Sequence, residues 1–384
     1  MRARKIHLLA AVIAGLLGFT ECAVAFETKA SEALLIDVHS GAVLFSKDAD
    51  KPFAPAALAK LMTMEVVFKA LKDGELTLDD AYPVSENAWR TGGAPSGGST
   101  MFAALKSKIP LRDLIQGVIV QSANDGAIVI AEGLSGSEEK FAERMNERAR
   151  AIGLTASVFR NASGLPAEGQ AVTARDLVTL ASHIQKTYPD FYKIYAQPEF
   201  TWNKIRQRNR NPLLAMNIGA DGMGTGYTEG SGYAIVGSVS RGGRRVIAAM
   251  GGMASERERA EEARKLLDWG LDGFRLTNLF AANEIVGGAR VYGGEKPIVL
   301  VKAEYPVTAL VPAENQDLLT ARIVYDGPVA APVEQGAPIG RLEIWAGETL
   351  SRQVPLVAAE PVALGRLHRR ALDAVSELAI GWMR

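Results

Sequence analysis

Two short stretches hold the residue types on which acyl and proton chemistry depend. In Pro55-Ala56-Ala57-Leu58-Ala59-Lys60-Leu61-Met62-Thr63 an amine, Lys60, follows Ala57 by three positions. Pro55 fixes φ ahead of an apolar run in which Leu58, Leu61, Met62 and Val66 recur at helical spacing, so the stretch reads as the start of a buried helix ending near Gly74. Three apart at a helix N-terminus, positions 57 and 60 share one face beside backbone amides that point at a bound anion. The second stretch, Gln121-Ser122-Ala123-Asn124-Asp125-Gly126, is a polar turn between two apolar helical patterns, Leu111 to Ile119 and Ala127 to Ala131. Ser-x-Asn is common by chance and reads equally as an Asn helix cap. Squeezed between apolar helices, such a turn pushes polar side chains into a cleft floor.

The remaining elements frame these two. Ala33–Asp37 and Ala42–Phe45 read as a hairpin leading into the Pro55 helix. The glycine-rich run Trp89 to Phe102 reads as a loop, either on the open surface or bordering the cleft. Ser137 to Ile152 is a helix charged on one face, closed by Gly153. Asp221-Gly222-Met223-Gly224-Thr225-Gly226-Tyr227-Thr228 and Gly232–Ser238 read as a hairpin at a sheet edge, with a further strand from Arg245 to Met250. Ser255-Glu256-Arg257-Glu258 has the form of a capping box opening a helix to Trp269, and Arg259 lies in its first turns. Residues 285–360 alternate β-rich runs with Gly and Pro turns and read as a small all-β domain that serves as a spacer or docking unit.

Arg2, Arg4 and Lys5, an apolar stretch from Leu8 to Phe19 and Ala23-Val24-Ala25 have the layout of a secretory signal peptide over residues 1–25. The apolar core is shorter than the roughly 20 residues of a membrane span. Cys22, the one cysteine, leaves with that leader, so disulfide and thiol chemistry are excluded. With 43 basic and 43 acidic residues there is no strong net charge, which argues against nucleic acid as a partner. His7, His39, His183 and His368 form no ligand spacing, so neither a metal nor a cofactor is expected. Near the C-terminus Leu364, Leu367, Ala371, Val375, Leu378 and Trp382 share a helical face opposite Arg366, Arg369, Arg370 and Arg384. Such a helix lies in a membrane surface or packs on the β domain.

Taken in order, Pro55–Thr63, Ser122-Ala123-Asn124, Asn161-Ala162-Ser163-Gly164-Leu165-Pro166 and Gly224-Thr225-Gly226 resemble the motifs of the penicillin-recognising serine D-Ala-D-Ala carboxypeptidases, the low-molecular-mass penicillin-binding proteins. The chain departs from them twice. Ala57 stands where the Ser-x-x-Lys serine should be, and Gly224 where the Lys-Thr-Gly lysine should be. The resemblance implies an α/β (α+β) penicillin-recognising transpeptidase/β-lactamase-like domain over residues 26–274. It further implies a β-rich domain over 275–360 and an amphipathic helix over 361–384 that anchors the protein at the cytoplasmic membrane surface.

It also implies roles. In the family a serine attacks the D-Ala-D-Ala carbonyl, the lysine takes its proton and an acyl-enzyme is hydrolysed. Carried over, Lys60, Ser122 and Asn124 are the catalytic remnants. Thr225 and Gly226 are substrate-binding remnants, with Arg259 near the substrate carboxylate or else an exposed helix charge. A methyl group forms no acyl-enzyme, so the expectation is an exported chain without enzymatic activity as written, with weak or lost binding of peptidoglycan stem peptides. Two other readings remain open: a natural serine-type carboxypeptidase into which both substitutions were introduced, and residual activity through Ser122. With no cation at Gly224, Lys60 is expected to stay protonated.

Overall fold

The computed structural model describes residues 26–313, 319–347, 349–367 and 370. The leader expected over residues 1–25, and most of the expected C-terminal helix, lie outside these.

The first part begins with β1 (Glu32–Asp37) and β2 (Val43–Lys47), followed by α1 (Ala59–Lys72), β3 (Ala81–Pro83), β4 (Lys108–Pro110), α2 (Leu111–Val120), α3 (Asn124–Ser135) and α4 (Glu138–Ala151). It continues through α5 (Ala174–Thr187), α6 (Pro189–Tyr192), β5 (Glu199–Trp202), β6 (Ile205–Arg208), β7 (Ala220–Thr228), β8 (Gly232–Arg241), β9 (Arg244–Met253) and α7 (Glu256–Asp272). An antiparallel sheet of order β2-β1-β9-β8-β7 is its spine. Both faces of that sheet are covered, so its central strands are near-continuous apolar runs. Along β9, Ile247 and Ala249 enter the core shared with α1, α2, α3 and α5, while Val246, Ala248 and Met250 enter the core under α7. The alternation is the period of two that a strand imposes.

α1 is buried nearly all round, from Ala59 to Phe68, as befits a helix at the centre of its domain. β7 is an outer strand whose free edge faces the turn preceding α1. The run from Trp89 to Phe102 is less loop-like than its glycines suggest: Ala88–Gly92 form one π-helical turn and Ala94–Ser96 a 3-10 turn, packed against α3.

The second part is all β: β10 (Phe274–Phe280), β11 (Ile285–Tyr292), β12 (Ile298–Lys302), β13 (Val307–Pro312), β14 (Leu319–Tyr325), β15 (Val329–Ala330), β16 (Pro338–Ala346) and β17 (Thr349–Ala358). β10 pairs with β13, and the others form a sheet of order β14-β16-β17-β12-β11-β15 around a core of its own. Leu310 of β13 instead joins the first part's core beside Leu271 and Phe274. Among the described residues no helix is long and apolar enough to cross a membrane.

Candidate functional site

Pro55, with φ of −65°, leads into a 3-10 turn over Ala56–Leu58, and α1 follows at once. Ala56 has φ of +48°, a left-handed conformation that is strained for an alanine. The segment Asn161–Pro166 closes over this turn through Gly164, whose φ is +78°. A Cβ there would sit 1.7 Å from the Ala56 carbonyl oxygen, so only glycine admits the contact.

Lys60 is 4 % exposed. Its Nζ donates to Asn124 Oδ1 at 2.7 Å and to the Ser163 carbonyl oxygen at 2.6 Å. Burial lowers its pKa from 10.5 to about 7, partly opposed by the negative charge of Asp125. The expectation that Lys60 stays protonated is therefore corrected: desolvation lowers its pKa to about 7, so a large share of the amine is neutral at pH 7 without a cation at Gly224. A neutral amine has two N–H groups and one lone pair. The two acceptors take the N–H groups and leave the lone pair free to accept a proton.

Asn124 opens α3, yet its side chain does not cap the helix, since it is turned to Lys60. Ser122, with φ of +59°, stands in the connection between α2 and α3 and faces the cleft. What fixes this connection is Asp125. It is fully buried and accepts from Thr100 Oγ1, from the amides of Met101 and Ala103 at 3.0 Å, and from its neighbour Gly126 at 2.9 Å. The Asn124 amide donates to Ser99 at 2.8 Å, and so Gly98 and Ser99 border the cleft.

On the opposite wall, β7 brings Gly224, Thr225 and Gly226 alongside. Gly226 allows the closest approach, since a Cβ there would meet the Pro55 carbonyl oxygen at 2.9 Å. At Gly224 a Cβ would meet only Leu58, at 3.9 Å, so a side chain at this position has room. Arg259 is 7 % exposed, which excludes the exposed helix charge. Its guanidinium lies 5.5 Å over the Tyr233 ring, the Tyr227 and Tyr233 rings lie tilted with centroids 4.3 Å apart, and among the described residues Arg259 Nε has no hydrogen-bond partner. Burial lowers the Arg259 pKa.

Two spaces result, with Ala57, Ser122, Arg210 and Thr225 bordering both. The cleft, of about 740 Å³, is bordered by Ala57, Ser122, Asn124, Ser163, Thr225 and Arg259 among others. Below it a cavity of about 30 Å³ touches Ala57, Lys60, Ser122, Tyr195, Gly224 and Thr225, enough for about one or two water molecules. All eight positions singled out in the sequence thus converge. Sequence reasoning missed the Ser163 carbonyl, because a backbone acceptor leaves no mark in residue types. It also missed Arg210, which lines both spaces; the alternating Arg206-Gln207-Arg208-Asn209-Arg210 was the available signal.

A family model described as D-alanyl-D-alanine carboxypeptidase matches residues 19–254, more than half of the chain. The chain belongs to the D-alanyl-D-alanine carboxypeptidase family. A second family model, penicillin-binding protein 5, C-terminal domain, matches residues 274–363. The family relative DacC of Escherichia coli, a D-alanyl-D-alanine carboxypeptidase, is 37% identical over 345 residues, covering 89% of this chain and 86% of that protein. Among solved structures, the carboxypeptidase DacD from Francisella tularensis aligns with a TM-score of 0.74 and 29% identity, over 88% of this chain and 95% of that one. Penicillin-binding protein 5 from Haemophilus influenzae aligns with a TM-score of 0.70 and 33% identity, over 88% of this chain and 99% of that one.

The fold expectation, a penicillin-binding-protein-type α/β domain followed by an all-β domain, holds. The expectation of a chain that is not an enzyme is corrected. Relatives at 37%, 34% and 31% identity over most of its length are named as carboxypeptidases, which points to an enzyme. That expectation weighed two side chains, Ala57 and Gly224, whereas the lysine, its two acceptors and the edge strand around them are all in place.

Proposed function

We propose that the chain is a D-Ala-D-Ala carboxypeptidase of peptidoglycan stem peptides in which water, rather than a side chain at position 57, attacks the scissile carbonyl. The observation that carries this is the Lys60 amine, held at a pKa of about 7 with both acceptors engaged, beside a water-sized cavity that also touches Ala57 and Gly224. A stem peptide lies along the free edge of β7, with its terminal carboxylate toward Arg259 and Thr225. Lys60 accepts the proton of the water as its oxygen bonds to the carbonyl carbon. The C–N bond then breaks, and that proton passes by way of Ser122 to the departing amine of D-alanine. Asn124 holds Lys60 and meets the substrate amide. Loss of a serine nucleophile removes on the order of 10⁶ of kcat and leaves roughly 10³ to 10⁴ over water, so a slow hydrolase is the expected phenotype.

The β-rich part serves as a spacer. Residues 1–25 direct export, and residues 364–384 hold the protein to the outer face of the cytoplasmic membrane.

The test is D-alanine release from a stem pentapeptide, run beside mass spectrometry after exposure to a labelled penicillin. Expected are slow release that disappears in Lys60→Met, no covalent adduct on the chain itself, and an adduct on the double variant Ala57→Ser, Gly224→Lys. An adduct on the unaltered chain that is lost in Ser122→Ala would make Ser122 the nucleophile instead. Release no faster than in buffer would sink the proposal.

A further inference from the structure

Beside the cleft runs a second groove of about 730 Å³, sharing Arg210, Glu256 and Arg259 with it. Arg206 and Arg208 sit two apart on β6 and so project to one side of the strand, and Arg210 follows two residues on. Arg257 and Arg259 face them from the start of α7. Arg206 is paired with Glu199 and Arg257 with Glu261, but among the described residues neither Arg208 nor Arg210 has a carboxylate partner. One further feature bears on the ligand. Phe102 and Ile205 are exposed apolar side chains on the same rim.

We propose that this groove binds an extended peptide bearing carboxylates on alternate residues, a ligand separate from the one in the cleft. An extended chain repeats every second residue at about 6.6 Å, the same repeat that spaces the arginines of β6. Carboxylates meet guanidinium groups with matching geometry. A peptide also supplies side-chain carbon for Phe102 and Ile205, which a phosphate ion lacks. Because Arg210 and Arg259 border both spaces, a chain in the groove draws on the same positive charge that meets a carboxylate in the cleft. Occupancy of the groove therefore weakens substrate binding, and the converse holds by linkage.

The test uses the full chain and a fluorescein-labelled Glu-Ala-Glu-Ala-Glu peptide read by fluorescence anisotropy. Binding is expected to weaken with added salt and to fall on the order of tenfold in the double variant Arg206→Gln, Arg208→Gln, whose thermal midpoint should match the parent's. The control variant Arg150→Gln, Arg160→Gln, altered on a different surface, should bind as the parent does. Three results would each overturn the site: undiminished binding by the β6 variant, an equal loss in the control, or displacement of the peptide by an equal concentration of inorganic phosphate.

Discussion

Lys60 shows how a single burial sets chemistry. Its amine titrates near 7 in the folded chain against 10.5 when unfolded. Between those values the unfolded chain binds one more proton, so folding stability contributed by this group rises with pH from about 7 to 10.5, and the penalty is complete below 7. Lys60→Met removes that titration. In thermal melts the stability difference should therefore shift in the parent's favour between pH 7 and pH 10, and a pH-independent difference would refute the lowered value. Gly224 is the other residue whose change can be read directly. A Cβ there meets only Leu58, at 3.9 Å, and a cation at this position would gain a partner in the substrate carboxylate, worth on the order of 2 kcal/mol or more. Gly224→Lys should fold normally and lower KM by at least about tenfold. The added cation should also shift the acid limb of the pH profile below its parent midpoint, since like charge disfavours protonated Lys60.

The elements that hold these residues are fixed by contacts remote in sequence. Asp125 ties the residues around Thr100 to the first turn of α3, and through Asn124 it places the acceptor of Lys60. Asp125→Ala strands three buried amides and the Thr100 hydroxyl and should cost about 3 kcal/mol of unfolding free energy, measured by urea titration. Gly164 performs the parallel task for the segment carrying the Ser163 carbonyl. Gly164→Ala must push that segment off Ala56 and with it the second acceptor of Lys60, so activity should fall further than stability. The short helices were the least readable elements. Glycines between Trp89 and Phe102 signalled a loop, but packing on α3 winds the segment into π and 3-10 turns.

At the scale of the molecule, the site lies where an edge strand, a central helix and an interhelical connection meet, all in the first part of the chain. Among the described residues, the β-rich part contributes none to either space lining the site. A chain ending at Gly273 is therefore expected to keep the turnover per folded molecule while losing some stability, because Leu310 is taken from the core beside Leu271. Turnover normalised to folded protein decides this, and a proportionate loss would place part of the site in the second half. Removal of residues 364–384 should abolish sedimentation with anionic vesicles and leave peptide hydrolysis unchanged.

The sequence by itself determined the lineage and the two-part architecture. Three motifs in fixed order, helical periodicity after Pro55 and alternating β-rich runs after Phe274 are local properties, written in neighbouring residues. It also put Ala57 and Gly224 at the places where the resembled motifs carry a serine and a lysine. Only the tertiary structure decided what stands around them. Desolvation of Lys60 depends on everything packed around α1, its second acceptor is a carbonyl 103 positions away in sequence, and Arg259 is turned from an apparent surface charge into a buried cleft residue by Tyr233. Charge states and the burial of polar groups are sums over neighbours in space, and no spacing along the chain records them.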